Sequence, residues 1–324
     1  MTKSPLNIVV TCTKRKRAPV PEEQQLRNFR GTDLINRFNK WKQLLNSPHR
    51  ANCPLEDLYQ GAHWKTVLGF SSSRYHIQRW VCSAGLGLLN IKDVVPPYHA
   101  TFSLEHPDSV SREIDNKYPK RQCPELWWNH LKSWKPPFAT GPRSIRELAE
   151  EQHSTPLLVL APVNYMRAIQ SDLADAAKQF KNPDLFSIIS TGTKPGSIPT
   201  LENHLLPTEG KLQRKVSGAL RSINTNIASF LLCKSDLKME YSPISEFLRA
   251  ILADCPPLER YDDRAPQEDS QVQNYILEEL VQNPTKSRSP LLTSFRDSGH
   301  KCSAERFKRI FENVASHFEE VDRQ

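Results

Sequence analysis

Four short apolar runs decide the fold class of this chain. They are Leu6-Asn7-Ile8-Val9-Val10-Thr11, Arg79-Trp80-Val81-Cys82-Ser83-Ala84, Leu157-Leu158-Val159-Leu160-Ala161 and Leu185-Phe186-Ser187-Ile188-Ile189-Ser190. Each is too short for a helix, and each reads as a strand buried on both faces. Helical spacing fills the intervals. Residues 22–45 place Leu26, Phe29, Leu34, Ile35, Phe38, Trp41 and Leu45 close to a helical period, with Gly31 as a break between two helices. A further helix opens at Leu58 and reaches Ser72, and another runs from Tyr165 to Phe180. Strand–helix–strand alternation predicts an α/β fold, with a mainly parallel sheet flanked by helices.

Residues 103–142 are rich in aromatics and proline, with Trp127, Trp128, Trp134 and Phe138. That composition predicts an ordered insertion packed on the sheet, because disordered segments are poor in aromatics. A short helix follows over Ser144–Gln152. Beyond the fourth strand the pattern predicts helices over Lys211–Cys233 and Ser242–Asp254. A polar stretch with Asp262, Asp263, Glu268 and Asp269 reads as a linker, and the chain from Val272 onward reads as helical throughout. The expected organisation is an α/β catalytic domain over residues 1–255 and a C-terminal helical region over 256–324, with no internal repeat.

Function classes narrow next. No run approaches 18 consecutive apolar residues, so no transmembrane helix is expected. The apolar run after Met1-Thr2-Lys3-Ser4-Pro5 is too short for a signal peptide. Seven cysteines at irregular spacing argue against a disulfide framework, and a reducing cytoplasm is the expected location. There is no C-x-x-C, H-E-x-x-H or Walker A motif, so neither a metal site nor a cofactor is expected. Lys and Arg number 44 against 36 Asp and Glu, a formal charge of +8. The excess clusters at Lys3, Lys14, Arg15, Lys16 and Arg17 and again over residues 284–311, which favours a polyanionic partner such as DNA.

Cys12 heads the candidate site residues. It ends the first strand, and in a parallel sheet the carboxyl ends of the strands face the ligand crevice. Lys14, Arg15, Lys16 and Arg17 beside it favour a thiolate, the nucleophilic form, and Thr11 and Thr13 add hydroxyls. In Leu58-Tyr59-Gln60-Gly61-Ala62-His63-Trp64, His63 is a candidate acid or base, and Tyr59 and Trp64 are candidates to stack on a ring. The same segment also reads as a helix start with aromatic core residues. Ser83-Ala84-Gly85-Leu86-Gly87 offers either a small-residue loop open to a ligand or a tight strand exit, and it lacks the third glycine of a dinucleotide fingerprint. Near the C-terminus two helices meet at Gly299, and the second exposes Arg306, Lys308 and Arg309. Two readings stay open for this hairpin. One is a helix-turn-helix whose second helix enters a major groove, and the other is a charged hairpin packed on a core.

The strand ending in Cys12, Leu58-Tyr59-Gln60-Gly61, Ser83–Leu89 and Pro97-Tyr98-His99-Ala100-Thr101-Phe102 together cover roughly residues 5–102. This set resembles a superfamily of small α/β domains that includes the catalytic domain of archaeosine synthase and phage and defence proteins. With the basic hairpin added, the chain resembles the proteins of the Dpd DNA-modification cluster that convert a cyano-deazaguanine to an amido-deazaguanine. Archaeosine synthase carries a lysine four positions after its cysteine, a spacing that Cys12 and Lys16 match. Its motif continues with Pro, Tyr, Ser and His, where this chain has Arg17-Ala18-Pro19, and Thr11 replaces a preceding proline. The resemblance therefore implies hydration of the nitrile of 7-cyano-7-deazaguanine, free or in DNA, and not addition of lysine. It implies Cys12, Lys16 and His63 as catalytic residues. Thr13, Lys14, Tyr59, Trp64, Ser83, Gly85 and Tyr98 would bind substrate. The implied setting is a restriction or phage-defence system, with other modification-cluster proteins as partners. A different class of reading is a non-catalytic nucleic-acid-binding module, in which the cations beside Cys12 hold phosphate. A third, a defence nuclease or glycosylase, would need paired carboxylates, and Asp57 and Asp93 read as a cap or surface charge.

Overall fold

The computed structural model describes residues 2–29, 33–47, 52–112, 118–216, 218–256, 264–284 and 286–321. The chain forms two compact units, Met1–Pro256 and Pro257–Gln324. The first is α/β. Its strands are β1 (Ser4–Thr11), β2 (Cys53–Pro54), β3 (Tyr75–Ser83), β4 (Gly87–Asn90), β5 (Val94–Val95), β6 (Leu157–Leu160) and β7 (Phe186–Ile189). Its helices are α1 (Leu34–Leu45), α2 (Leu55–Leu58), α3 (Ala62–Leu68), α4 (Cys123–Ser133), α5 (Ile145–Glu151), α6 (Val163–Ala177), α7 (Ile223–Leu232) and α8 (Tyr241–Ala253). The central sheet has the order β4-β3-β1-β6-β7, with β2 and β5 forming a separate two-stranded ladder. Strands β3, β1, β6 and β7 run parallel, and only the edge strand β4 is antiparallel.

This strand order creates the site. From β1 the chain first builds outward to β3 and β4, then returns to place β6 on the other flank of β1. The direction of winding reverses between β1 and β6, and a crevice opens at such a switch point beyond the carboxyl ends of the strands. Ile8, Val9 and Val10 are buried from both faces, which is why β1 reads as an unbroken apolar run. Asn7, polar but buried, is satisfied on both ends of its amide. It donates to Gln152 Oε1 at 2.9 Å and accepts from Trp80 Nε1 at 2.9 Å.

The described residues of the aromatic insertion pack on this sheet. Its helix α4 lies against α6 and carries buried Trp127 and Trp128. Trp128 Nε1 donates to buried Asp172 at 3.0 Å, and Asp172 also accepts the backbone amides of Ile145 and Arg146. One carboxylate thus ties α4, α5 and α6 together. Asp93 is likewise buried and not a surface charge. It accepts from Thr140 Oγ1 at 2.6 Å and from the Asn90 amide at 2.9 Å.

Several expected elements differ. Residues 22–28 form two single 3₁₀ turns in place of the first of the two helices expected over 22–45, the second is α1, and Gly31 lies outside the described residues. The helix expected from Leu58 begins at Ala62, because Tyr59 bridges to Lys16 and Gly61 holds φ +104°. The expected helix over Lys211–Cys233 is instead two 3₁₀ turns followed by α7, with Gly218 at φ +108° breaking the path. A positive φ stops a right-handed helix.

In the second unit, α9 (Asp269–Gln282), α10 (Arg288–Asp297) and α11 (Ala304–Val321) surround their own core of Val272, Ile276, Leu280, Leu291, Phe295, Phe307 and Ile310. The unit is not helical throughout. Strands β8 (Ala265–Pro266) and β9 (His300–Lys301) pair in parallel. The expected linker residue Glu268 is the N-cap of α9, in a reciprocal capping box with Gln271. Asp262 and Asp263 lie outside the described residues.

Candidate active site

Cys12 emerges from β1 into the switch-point crevice, its amide still donating to Cys82 O at 3.0 Å. Across the crevice, β6 leads into α6, and the first turn of α6 brings Tyr165 to it. The Cys12 sulfur and the Tyr165 hydroxyl are 2.9 Å apart. The two residues face one cavity of about 170 Å³, which Thr13, Lys14 and Lys16 also line. That is below the roughly 300–1,000 Å³ of pockets for drug-sized ligands, so the cavity suits a single small ring system.

Lys16 is the unusual group. Its residue is 8% exposed, and its ammonium donates to Thr13 O at 2.8 Å. The ammonium stands 4.5 Å from the centre of the Tyr59 ring and 4.8 Å from that of Tyr98. Two aromatic faces give a buried cation partial compensation for lost water. Burial nonetheless lowers the Lys16 pKa to about 8, with nearby Cys12 and Asp108 pulling it back up. Lys16 therefore exchanges its proton close to neutral pH, as a catalytic acid and base must.

The tyrosines form a buried support. Tyr59 and Tyr98 share a hydrogen bond at 2.8 Å, and the Tyr98 hydroxyl meets Ser83 Oγ at 2.6 Å. Ser83 Oγ also accepts the Leu86 amide at 2.9 Å. Burial first, and Cys12 second, push the phenols of Tyr59, Tyr98 and Tyr165 well above their ordinary range, so all three stay protonated donors.

The far wall comes from the segment after Tyr98. His99, His106 and Asp108 line the cavity. Burial opposes ionisation of Asp108, but Arg27 outweighs it and holds the carboxyl below the usual range. Arg27 donates its backbone amide at 3.1 Å, Nε at 2.8 Å and Nη2 at 2.5 Å. His99 is pushed down to about 4 by burial and then by Lys16, so it is neutral at pH 7. His106 Nδ1 accepts the Asp108 amide at 3.1 Å, which leaves the proton of its neutral ring on Nε2.

Not every residue singled out from sequence lies at the cavity. Cys12, Thr13, Lys14 and Lys16 line it, whereas Tyr59 and Tyr98 stand behind Lys16. Ser83 and Gly85 stand one layer further back. Gly85 is small because the Tyr98 ring occupies the space that a Cβ would take. The loop is a tight, buried strand exit into a hairpin. Indoles of Trp127 and Trp41 donate to Ala84 O and Gly85 O, each at 2.8 Å, and Arg143 donates to Leu86 O and Leu88 O. Its carbonyls are taken, so it holds Tyr98 in place and offers a ligand no backbone. Trp64 is buried, donating to Glu56 O at 2.8 Å and edge-on to Tyr59, so it braces the site and does not line the cavity. His63 does not line the cavity either. Its Nε2 lies 3.0 Å from Thr11 O, where it must donate, so this nitrogen cannot also serve as a base. Tyr165, His99, His106 and Asp108 had not been singled out as site residues.

In the second unit, Arg306 and Arg309 both bind Asp269, at 2.5 Å through Arg306 Nε and 3.0 Å through Arg309 Nη2, and Lys308 lies 3.6 Å from Glu312. The candidate DNA-reading cations are thus engaged with acids of their own unit.

All seven cysteines are free thiols. Among the described residues, no helix is long and apolar enough to cross a membrane, and no three His, Cys, Asp or Glu side chains are placed to hold a metal. No protein-family model, curated protein or solved structure matches the chain.

Proposed function

We propose that this protein hydrates the nitrile of a 7-cyano-7-deazaguanine to the amide through a thioimidate on Cys12. One observation carries the reading. Cys12 faces a ring-sized cavity at the switch point of a parallel sheet, hydrogen-bonded to Tyr165 and beside a buried Lys16 that titrates near neutrality. The choice of substrate rests on the sequence resemblance, and the cavity size is compatible with it.

The residues supply the steps. The Cys12 thiolate adds to the nitrile carbon as Lys16 gives a proton to the nitrile nitrogen, leaving a thioimidate and a neutral amine. Water then adds across the C=N bond, its oxygen to carbon and its proton relayed to nitrogen through that amine. In the resulting adduct the hydroxyl proton passes to Lys16, the C=O bond forms, and the C–S bond breaks with its electron pair on sulfur. Amide, thiolate and ammonium are left, so one water is consumed and both groups are restored. Tyr165 donates to the sulfur before attack and again as it leaves. His63 has no part in these transfers, and Lys16 replaces it as the base.

Cys12→Ala protein, incubated with the cyano-base or with cyano-modified DNA, should form no amide. Undiminished amide formation would overturn the mechanism. Retained, steeply salt-dependent DNA binding with no chemistry in either protein would favour the non-catalytic nucleic-acid module.

A further inference from the structure

A second cavity, of about 380 Å³, adjoins the first, and the two share Ser103 and Asn164 on their walls. The first turns of α6 separate them. Tyr165 faces Cys12, whereas Asn164 and Arg167, three positions apart and on one helix face, line the second cavity. Phe102 packs edge-on against Tyr165, with ring centres 5.1 Å apart, and forms the partition. Asn164 Nδ2 lies 3.5 Å from Ser103 Oγ at the junction.

Arg121 and Arg167 reach this second cavity, and both are exposed. Among the described residues neither guanidinium has a hydrogen bond or ion pair. Elsewhere in this unit Arg27, Arg37, Arg79, Arg143 and Arg146 are engaged, and the exposed Arg15, Arg221 and Arg249 do not line this cavity. The one carboxylate on the wall is Glu105. Two uncommitted guanidinium groups next to a ring-sized cavity supply the charge a phosphate needs, and each carries the fork that binds phosphate oxygens in pairs.

We infer that the second cavity is a phosphate subsite, so that the substrate enters as a nucleotide and not as a free base. The inference rests on the proposed function for the identity of the ring in the first cavity. The base lies against Cys12, the sugar passes Ser103 and Asn164, and Arg121 and Arg167 take the phosphate. Glu105 leaves an acceptor for a sugar hydroxyl.

The test is equilibrium binding to Cys12→Ala protein, which holds substrate without turning it over. The probes are 7-cyano-7-deazaguanine, 2-deoxyribose 5-phosphate and the deoxynucleoside 5′-monophosphate that joins them. The monophosphate should bind at least tenfold more tightly than the base. Adding Arg121→Ala and Arg167→Ala should abolish sugar-phosphate binding and reduce the monophosphate to the affinity of the base, leaving the base itself unchanged. Arg121→Lys with Arg167→Lys should restore part of the advantage. Sugar-phosphate binding that ignores the arginine substitutions, or a monophosphate no tighter than the base, would overturn the subsite. A base that fails to bind would overturn the proposed function instead, and the sugar-phosphate arm still decides the subsite. An oligodeoxynucleotide carrying the modified base separates the two sources of the phosphate. A steep salt slope beyond that of the monophosphate marks a strand.

Discussion

The Cys12 sulfur and the Tyr165 hydroxyl meet at 2.9 Å across the crevice between β1 and β6, from positions 153 residues apart. Tyr165 stays protonated because burial, and then Cys12, raise its phenol. In the proposed reaction it is therefore the donor to the Cys12 sulfur. Tyr165→Phe keeps the ring against Phe102 and removes only the donor. We expect kcat for amide formation to fall about a hundredfold, the scale of one positioned proton-transfer group, with a thermal midpoint within a few degrees of the parent. Steady-state kinetics and a thermal melt check this, and an unchanged kcat would remove Tyr165 from the mechanism.

Lys16 sets the pH dependence. Its folded pKa is about 8 against an ordinary 10.5. The first step needs the ammonium, so kcat/KM should decline as pH rises through about 8, and Lys16→Met should lose this limb together with most of the activity. The stability effect has the opposite sense. Between these values the unfolded chain binds more protons than the folded one, so stability rises with pH there. The penalty for a buried ammonium is fully present below about 8 and gone above 10.5. The gap corresponds to about 3 kcal/mol. Urea unfolding of both proteins at pH 7 and pH 10 reads it. The parent should gain stability relative to Lys16→Met at the higher pH, and a constant difference would contradict the shift.

Gly85 is predicted to matter through Tyr98. A methyl group at position 85 falls within 2.5 Å of Tyr98 Cδ2 and Cε2, a hard clash with the ring. Gly85→Ala must displace that ring, and with it one of the two aromatic faces beside Lys16. Overpacking of this kind costs about 1–3 kcal/mol. Urea titration should show the loss, and the alkaline limb of the activity profile should move as the surroundings of Lys16 change. A variant equal to the parent in both would show that the loop is slack.

The near half of this site was legible in the sequence, and the far half was not. Ile8-Val9-Val10 marked a buried strand, and the residues that follow such a strand face the crevice, so Cys12, Lys14 and Lys16 could be read directly. Tyr165 arrives on α6, and nothing local marks it as a partner of a thiol so distant in the chain. Asp108 and His106 are hidden for the same reason. Only the fold turns the segment after Tyr98 back over Cys12, with Arg27 fixing Asp108. His63 misled because it follows Tyr59 so closely. Gly61, at φ +104°, turns the chain between them, so that Tyr59 faces Lys16 while His63 faces the Thr11 carbonyl. Gly85 and Gly87 looked like room for a ligand, yet that room is filled by Tyr98 and Arg143. Glycine in a sequence marks close approach without saying what approaches.

The central claim is that the Cys12 sulfur forms a covalent bond with the substrate carbon. Intact-protein mass spectrometry after rapid acid quenching, with 7-cyano-7-deazaguanine and its nucleotide, tests it most directly. The account predicts an added mass equal to one intact substrate molecule, mapped by peptide digestion to Cys12, absent from Cys12→Ala and formed far more slowly in Lys16→Met, which lacks the proton donor for attack. Amide produced with no adduct at any quench time, or an adduct that persists in Cys12→Ala, would contradict it.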